Sequence, residues 1–274
     1  MDRADAKLSS LRLRILSALV MAPVALAAVW LGGPWLSALV LLAVAGMCWE
    51  WARLATGGGF GATGAMTVAT GVISVGALLL GADLGVAFAL ALAGSTAVLA
   101  VAALTRAAEP LWAASGTLWI ALGAAAFLYL ALAGGRGTVL WLLAVVWATD
   151  IGAYAAGRSI GGPRLAPRLS PNKTWAGLVG GVASAALAGL IAARLGGGSG
   201  GVLALVSAGV AVVAQLGDLA ESLAKRHFGV KDSSRLIPGH GGLLDRLDGL
   251  LAASVATGVA AMLLDNSYGP IHWQ

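Results

Sequence analysis

The sequence predicts an all-α, polytopic integral membrane protein with about nine transmembrane helices and a cytoplasmic amino terminus, and three observations carry this reading. Hydrophobic residues make up 59% of the chain and charged residues 11%, against about 25% charged in soluble domains, and the mean hydropathy is +0.90. Apolar windows of roughly 20 residues, the length an α-helix needs to cross about 30 Å of hydrocarbon, recur from one end of the chain to the other. Lys and Arg gather in alternate connections, as cytoplasmic loops retain positive charge.

The windows run over 11–31, 35–54, 65–82, 84–104, 111–133, 138–157, 175–195, 202–220 and 243–264. The first begins with basic residues and reads as an uncleaved helix, because further spans follow it directly. The second ends in Trp49, Glu50, Trp51 and Arg53, a pattern expected of an interfacial aromatic belt with a snorkelling pair. Only Gly81, Ala82 and Asp83 separate the third from the fourth. In the seventh, Gly177, Gly180 and Gly181 suit close helix packing rather than ligand contact. Gly57-Gly58-Gly59 and Gly196-Gly197-Gly198 are expected as flexible turns. Cys48 is the only cysteine, which rules out an intramolecular disulfide and a multi-thiolate metal site.

With the amino terminus inside, Arg3, Lys7, Arg12, Arg14, Arg53, Arg106, Arg158, Arg164, Arg168, Lys173, Lys225, Arg226, Lys231, Arg235 and Arg246 become cytoplasmic, and Arg136 and Arg194 fall outside. The net charge of +5 is therefore a topology signal first. Nucleic-acid binding is not expected, since no basic patch with interleaved aromatics appears. Small residues crowd several spans, which suits a homodimer and a monomer alike.

By polarity the chain divides into leading spans (1–133) and a polar carboxyl-terminal region (134–274) with two cytoplasmic loops, 158–174 and 221–242. Asp150, Asp218 and Asp245 fall at the membrane boundary beside those loops. A charge near a bilayer centre costs at least about 2.5–3.5 kcal/mol, so such groups hold an ion, a substrate or each other. The site is expected in a cytoplasm-facing cleft.

Asp218, Glu221 and Ser222 stand at i, i+3 and i+4, on one helical face, and Asp245 and Asp248 repeat the i, i+3 spacing at the next helix start. Carboxylates without cysteine and with little histidine favour Mg²⁺ or another hard cation over zinc. The alternative is that the acids pair with Lys225, Arg226 and Arg246. Pro238-Gly239-His240-Gly241-Gly242 is a turn whose amides suit a phosphate, helped by the following helix N-terminus and by Lys225, Arg226, Lys231 and Arg235. His240 either orients the phosphate or caps the turn; His227 and His272 are expected as interfacial bystanders. Ser170-Pro171-Asn172-Lys173-Thr174 offers hydroxyl, amide and ammonium groups suited to a nucleotide, with Trp175 an interface anchor.

Ser222-Leu223-Ala224-Lys225-Arg226, Lys231-Asp232-Ser233-Ser234, Pro238 to Gly242 and Asp245-Arg246-Leu247-Asp248, in this order and spacing, resemble the signature of phosphatidate cytidylyltransferases. Asp150 to Arg158 and Ser170 to Trp175 are similar to that family as well. The resemblance covers roughly the carboxyl-terminal half, and the leading spans match only in hydropathy. Gly162 and Ala176 depart from the family's commonest pattern, where Lys and Glu stand.

The resemblance implies transfer of a cytidylyl group from CTP to phosphatidate in the inner membrane of a bacterium. On it, Asp218 and Asp245 are expected to hold Mg²⁺, with a second, monovalent cation also compatible. Asp248, Asp150 and Glu221 would support them or serve as alternate ligands, Lys225, Arg226, Lys231 and Arg246 would neutralise pyrophosphate or the lipid headgroup, and Ser170, Asn172 and Lys173 would engage the nucleotide. Ser222, His240, Gly241 and Gly242 complete the expected substrate contacts. The competing readings are a CTP-dependent lipid-alcohol kinase and an ion-coupled secondary transporter, whose charged groups should reach both membrane faces.

Overall fold

A computed structural model describes residues 3–196 and 198–263, with side chains for Leu13 and from Leu16 onward. His272 and the side chains of Arg3, Lys7, Arg12 and Arg14 therefore lie outside the described residues. The chain is helical almost throughout: α1 (Arg3–Leu31), α2 (Gly33–Ala55), α3 (Gly61–Leu79), α4 (Leu84–Leu104), α5 (Pro110–Ser159), α6 (Trp175–Gly196), α7 (Gly200–His227) and α8 (Leu244–Leu263). Among the described residues, α2 to α8 are long and apolar enough to cross a membrane, and α1 contributes a shorter apolar stretch, Leu16–Leu31. The protein is an all-α polytopic membrane protein.

The fifth and sixth expected windows form one 50-residue helix broken at Gly135. Its φ of 71° and ψ of −170° fall in a region essentially restricted to glycine, which has no Cβ to clash. Both ends of α5 lie against the same end of α7: Glu109 pairs with His227 at 3.3 Å, while Asp150 interacts electrostatically with Asp218. The arms 110–134 and 136–159 therefore fold back on one another at Gly135. The doubtful break between the third and fourth windows is a turn at Gly81, closed by Asp83, whose Oδ1 accepts from the Val86 amide at 2.8 Å.

The first polar loop is not irregular. It holds an antiparallel hairpin, β1 (Arg164–Ala166) and β2 (Ser170–Thr174), with Arg164 opposite Thr174 and Ala166 opposite Ser170. The Arg164 guanidinium donates to the Pro171 carbonyl, and Thr174 Oγ1 accepts from the Gly177 amide at 3.0 Å, capping α6. The second loop is shorter than its sequence suggests, because α7 continues through His227 and residues 221–227 are helical. The glycines of α6 do let helices approach: a Cβ at Gly177 would lie 2.9 Å from the Ala153 carbonyl, and one at Gly181 2.9 Å from that of Thr149.

The largest apolar core joins α2, both arms of α5 and α8. The expected belt at the end of α2 is a correction: Trp51 is 2% and Glu50 1% exposed, so both are interior, and only Trp49 and Arg53 form an outward pair, with the guanidinium 5.2 Å from the ring centroid. Trp51 donates from Nε1 to the Trp112 carbonyl at 2.8 Å. Glu50 clasps the start of α8. Its Oε1 accepts from Ser234 Oγ at 2.6 Å and the Leu243 amide at 2.8 Å, and its Oε2 from the Leu244 amide at 2.8 Å and Ser233 Oγ at 3.4 Å. A carboxylate satisfies the free amides of a helix start and suits its positive end.

Gly135→Ala forces a side chain into the glycine-only region and is expected to cost about 1–3 kcal/mol, read as a lowered thermal-unfolding midpoint in detergent. Glu50→Ala leaves up to three donors, Ser234 Oγ and the Leu243 and Leu244 amides, without their acceptor, at about 1–3 kcal/mol for each that stays buried and unpaired. Its midpoint should fall well below that of Glu50→Gln, which keeps one acceptor oxygen.

Candidate active site

The polar groups collect at one end of the bundle, where α2, α7 and the second arm of α5 end and α6 and α8 begin. Among the described residues only Asp83, Arg136 and Arg194 carry charge toward the opposite turns. At the charged end α7 and α8 cross closely, because a Cβ on Gly217 would lie 2.9 Å from the Asp248 carbonyl oxygen. That approach sets the i, i+3 acids of α7 against α8. Asp218, Glu221 and Asp248 each present a carboxylate oxygen within 4.8 Å of the others'.

This differs from the expected metal pair. Asp245 is not a member of that cluster; its oxygens are taken up within the protein. Oδ2 accepts from the Ser233 amide at 2.9 Å, Ser233 Oγ at 3.1 Å and the Gly242 amide at 2.8 Å, and Oδ1 accepts from Lys225 Nζ at 2.8 Å. Asp245 caps its own helix and fixes the preceding segment, and the acids beside Asp218 are Glu221 and Asp248. Glu221 is 1% exposed. One of its oxygens, Oε2, accepts from Lys225 Nζ at 2.8 Å, and the other, Oε1, is buried without a hydrogen-bond partner. An orphaned carboxylate oxygen facing two further acids fits a hard cation with oxygen ligands such as Mg²⁺.

The cations divide into paired and open groups. Lys225 bridges Glu221 and Asp245, the pairing alternative read from the sequence, and so sits within the framework rather than open to pyrophosphate. Lys173 reaches from β2 to Asp218 Oδ2 at 2.6 Å, which ties the hairpin to the carboxylate cluster. Ser222 Oγ donates to Asp218 Oδ1 at 3.4 Å. Arg226 is exposed and donates from Nε to the Leu169 carbonyl in the hairpin turn at 3.3 Å. Arg246 and Lys231 are exposed. Asp150, on the second arm of α5, interacts electrostatically with Asp248, Asp218, Lys173 and Arg246, so it borders the same cleft. On β2, Asn172 is exposed and Ser170 half-buried.

The glycine turn is a second correction. The amides of His240 and Gly241 donate to the Ile237 carbonyl at 3.0 and 3.2 Å, that of Gly242 to Asp245, and those of Leu243 and Leu244 to Glu50. The amide cradle expected for phosphate is spent on the protein's own carbonyl and carboxylates. Gly241 and Gly242 serve that packing: a Cβ on Gly241 would come within 2.9 Å of Asp245 Oδ2, and one on Gly242 within 2.9 Å of Glu50 Oε1. His240 Nδ1 lies 2.7 Å from Ser17 Oγ, which also donates to the Pro238 carbonyl at 3.1 Å, so the turn is fastened to α1. His227 stacks on Trp112 at 4.6 Å and 24° and stands outside the carboxylate cluster.

Sequence reasoning placed Glu50, Ser233 and Ser234 at this end of the molecule but missed their contacts with one another. The available signal was a lone acid inside an apolar window, which is expensive unless matched. Its partners lie more than 180 residues away along the chain, so spacing alone gave no hint of them.

Residues 12–264 match the model of the cytidylyltransferase family. The chain is 42% identical over 266 residues to a phosphatidate cytidylyltransferase of Brucella suis, an alignment covering 90% of this chain and 92% of the relative. It is 36% identical over 257 residues to a phosphatidate cytidylyltransferase of Pseudomonas aeruginosa, covering 89% and 94%. A phosphatidate cytidylyltransferase of Mycobacterium leprae is 44% identical over 131 residues, 47% of this chain and 42% of that protein. With the family model spanning nearly the whole sequence, the chain belongs to the cytidylyltransferase family.

Proposed function

We propose that this protein transfers the cytidylyl group of CTP to phosphatidate, giving CDP-diacylglycerol and pyrophosphate, at the cytoplasmic face of a bacterial inner membrane. The observation that carries the reading is the three-acid cluster of Asp218, Glu221 and Asp248, with a buried oxygen left unmatched, at the charged end of an apolar bundle. The relatives' names give the substrates, and the gathering of Lys and Arg at the same end supports a cytoplasmic orientation.

A phosphate oxygen of phosphatidate attacks the α-phosphorus of CTP; that P–O bond forms while the bond from the α-phosphorus to the bridging oxygen breaks, and pyrophosphate carries the electron pair away. The lipid phosphate is already largely ionised near neutral pH, so no side chain has to remove a proton. Mg²⁺ held by Asp218, Glu221 and Asp248 would neutralise triphosphate charge and relieve repulsion between the two anions. Lys225 holds Glu221 in place through its bridge to Asp245. Lys173, on a hairpin strand with Ser170 and Asn172, is placed to exchange its Asp218 partner for a nucleotide phosphate. Arg226, Arg246 and Lys231 line the exposed approach and attract the polyanion, while Asp150 limits how closely it settles. These are positioning and charge-neutralising roles, which dominate phosphoryl-type transfer.

CTP labelled at the α-phosphorus should pass its label to lipid in the presence of phosphatidate, whereas label at the γ-phosphorus should leave as pyrophosphate. Appearance of γ-label in lipid would establish a kinase instead. Asp218→Asn, Glu221→Gln and Asp248→Asn should each lower turnover about 100-fold or more, as expected when several kcal/mol of charge stabilisation are removed. Any activity that survives should need more Mg²⁺ for half-saturation. Near wild-type turnover at wild-type Mg²⁺ demand in any of the three would remove that residue from the ligand set.

A further inference from the structure

Two cavities lie one below the other along α2, away from the carboxylate cluster. The upper, of about 760 Å³, opens at the charged end between the last turns of α2, the Gly57–Gly58 turn and residues 228–236. Arg53 and Arg235 line it. Both are exposed, and among the described residues neither guanidinium has an ion-pair partner. The two carboxylates on the same wall are engaged, Glu50 by the donors of the 233–244 segment and Glu109 by His227. Two guanidinium groups and two carboxylates line the cavity, and of these the guanidinium groups are the exposed ones, with Trp49 beneath Arg53.

The lower cavity, of about 350 Å³, lies among α1, α2, α5 and α8, and Ser254 is the only polar residue on its wall. Helix α2 lines both spaces, with Leu36 to Met47 along the lower and Trp49 to Leu54 along the upper; Leu236 borders one and Ile237 the other. Leu36 to Met47 spans about 16 Å at the helical rise, close to the hydrocarbon depth of one leaflet, about 15 Å. The outer wall is a single helix, α1, which carries Pro23 in its interior.

We propose that the two cavities together form a second lipid site, which takes an anionic phospholipid with its phosphate between Arg53 and Arg235 and one acyl chain in the slot. The slot favours a lipid over a soluble phosphate, because a free anion has no use for an apolar chamber at hydrocarbon depth. The site is separate from the reacting lipid's. Neither cavity is lined by Asp218, Glu221 or Asp248, and the contact series Glu50, Ser233, Asp245, Lys225 and Glu221 links the upper cavity's wall to those acids. A phosphate there rests against the segment bearing Ser233 and Ser234, so its binding favours the clasped form of that segment, and anionic lipid should raise turnover.

The test uses the full chain in phosphatidylcholine nanodiscs with labelled phosphatidylglycerol as probe, and its readout is lipid binding, independent of cytidylyl transfer. Wild type should bind phosphatidylglycerol over phosphatidylcholine. The double variant Arg53→Ala/Arg235→Ala should bind it about tenfold or more weakly, as loss of charge-assisted contacts predicts, and Ala43→Trp should weaken it by filling the slot. Turnover of Arg53→Ala on dioctanoyl phosphatidate without anionic lipid should match wild type, and stimulation by phosphatidylglycerol should vanish in the double variant. The double variant changes exposed positions, so it carries the test even if Ala43→Trp does not fold. Unchanged phosphatidylglycerol binding would overturn the proposal. So would displacement of the probe by pyrophosphate, which marks a soluble-phosphate site, or a KM for long-chain phosphatidate that rises in step with the lost binding, which marks the reacting lipid's own seat.

Discussion

A carboxylate buried at the end of an apolar bundle must be matched by donors or by charge, since leaving one uncompensated costs several kcal/mol. That constraint shapes the charged end of this protein. Glu50 and Asp245 draw the 233–244 segment around themselves, and between them they take the amides of Ser233, Gly242, Leu243 and Leu244 and the hydroxyls of Ser233 and Ser234. The positive end of α8 is thereby filled from within the protein. Gly241 and Gly242 are required because a Cβ on either would press on those same carboxylates.

Against that background the exception stands out. Glu221 is as buried as Glu50, yet one of its oxygens has no donor, and Asp218 and Asp248 lie beside it. Matched acids build the scaffold, and the unmatched oxygen lies in the three-acid cluster proposed to hold the cation. Lys225 connects the two sets, because its ammonium contacts Glu221 on one side and Asp245 on the other. A continuous series of contacts therefore runs from Glu50 through Ser233, Asp245 and Lys225 to the acids of α7.

The leading spans contribute more than shielding. Glu50 comes from α2, Ser17 of α1 bonds to the turn at Pro238 and His240, and the main core unites α2 and α5 with α8. The polar carboxyl-terminal half carries the family's signature, but it is held in its working shape by groups that the signature does not include. Membership of the cytidylyltransferase family across residues 12–264 accords with that dependence on nearly the whole chain.

The sequence by itself determined the class of protein, the windows that become helices and the segregation of charge to one end, because hydropathy, span length and the cost of burying charge act locally along the chain. It also placed Asp218 and Glu221 on one helical face, which the 3.6-residue period requires. Only the tertiary structure decided which acids meet. Asp245 and Asp248 are equivalent in pattern, three residues apart on the same helix, yet the close crossing of α7 and α8 at Gly217 gives Asp248 to the cluster, while the path of the preceding segment gives Asp245 to the scaffold. The same holds for the glycine turn, whose composition suits a phosphate but whose amides were claimed by a carbonyl and by carboxylates, one of them far away in sequence. Hydrogen-bond partners are settled by which groups the packing brings within reach, and a linear pattern carries no record of that.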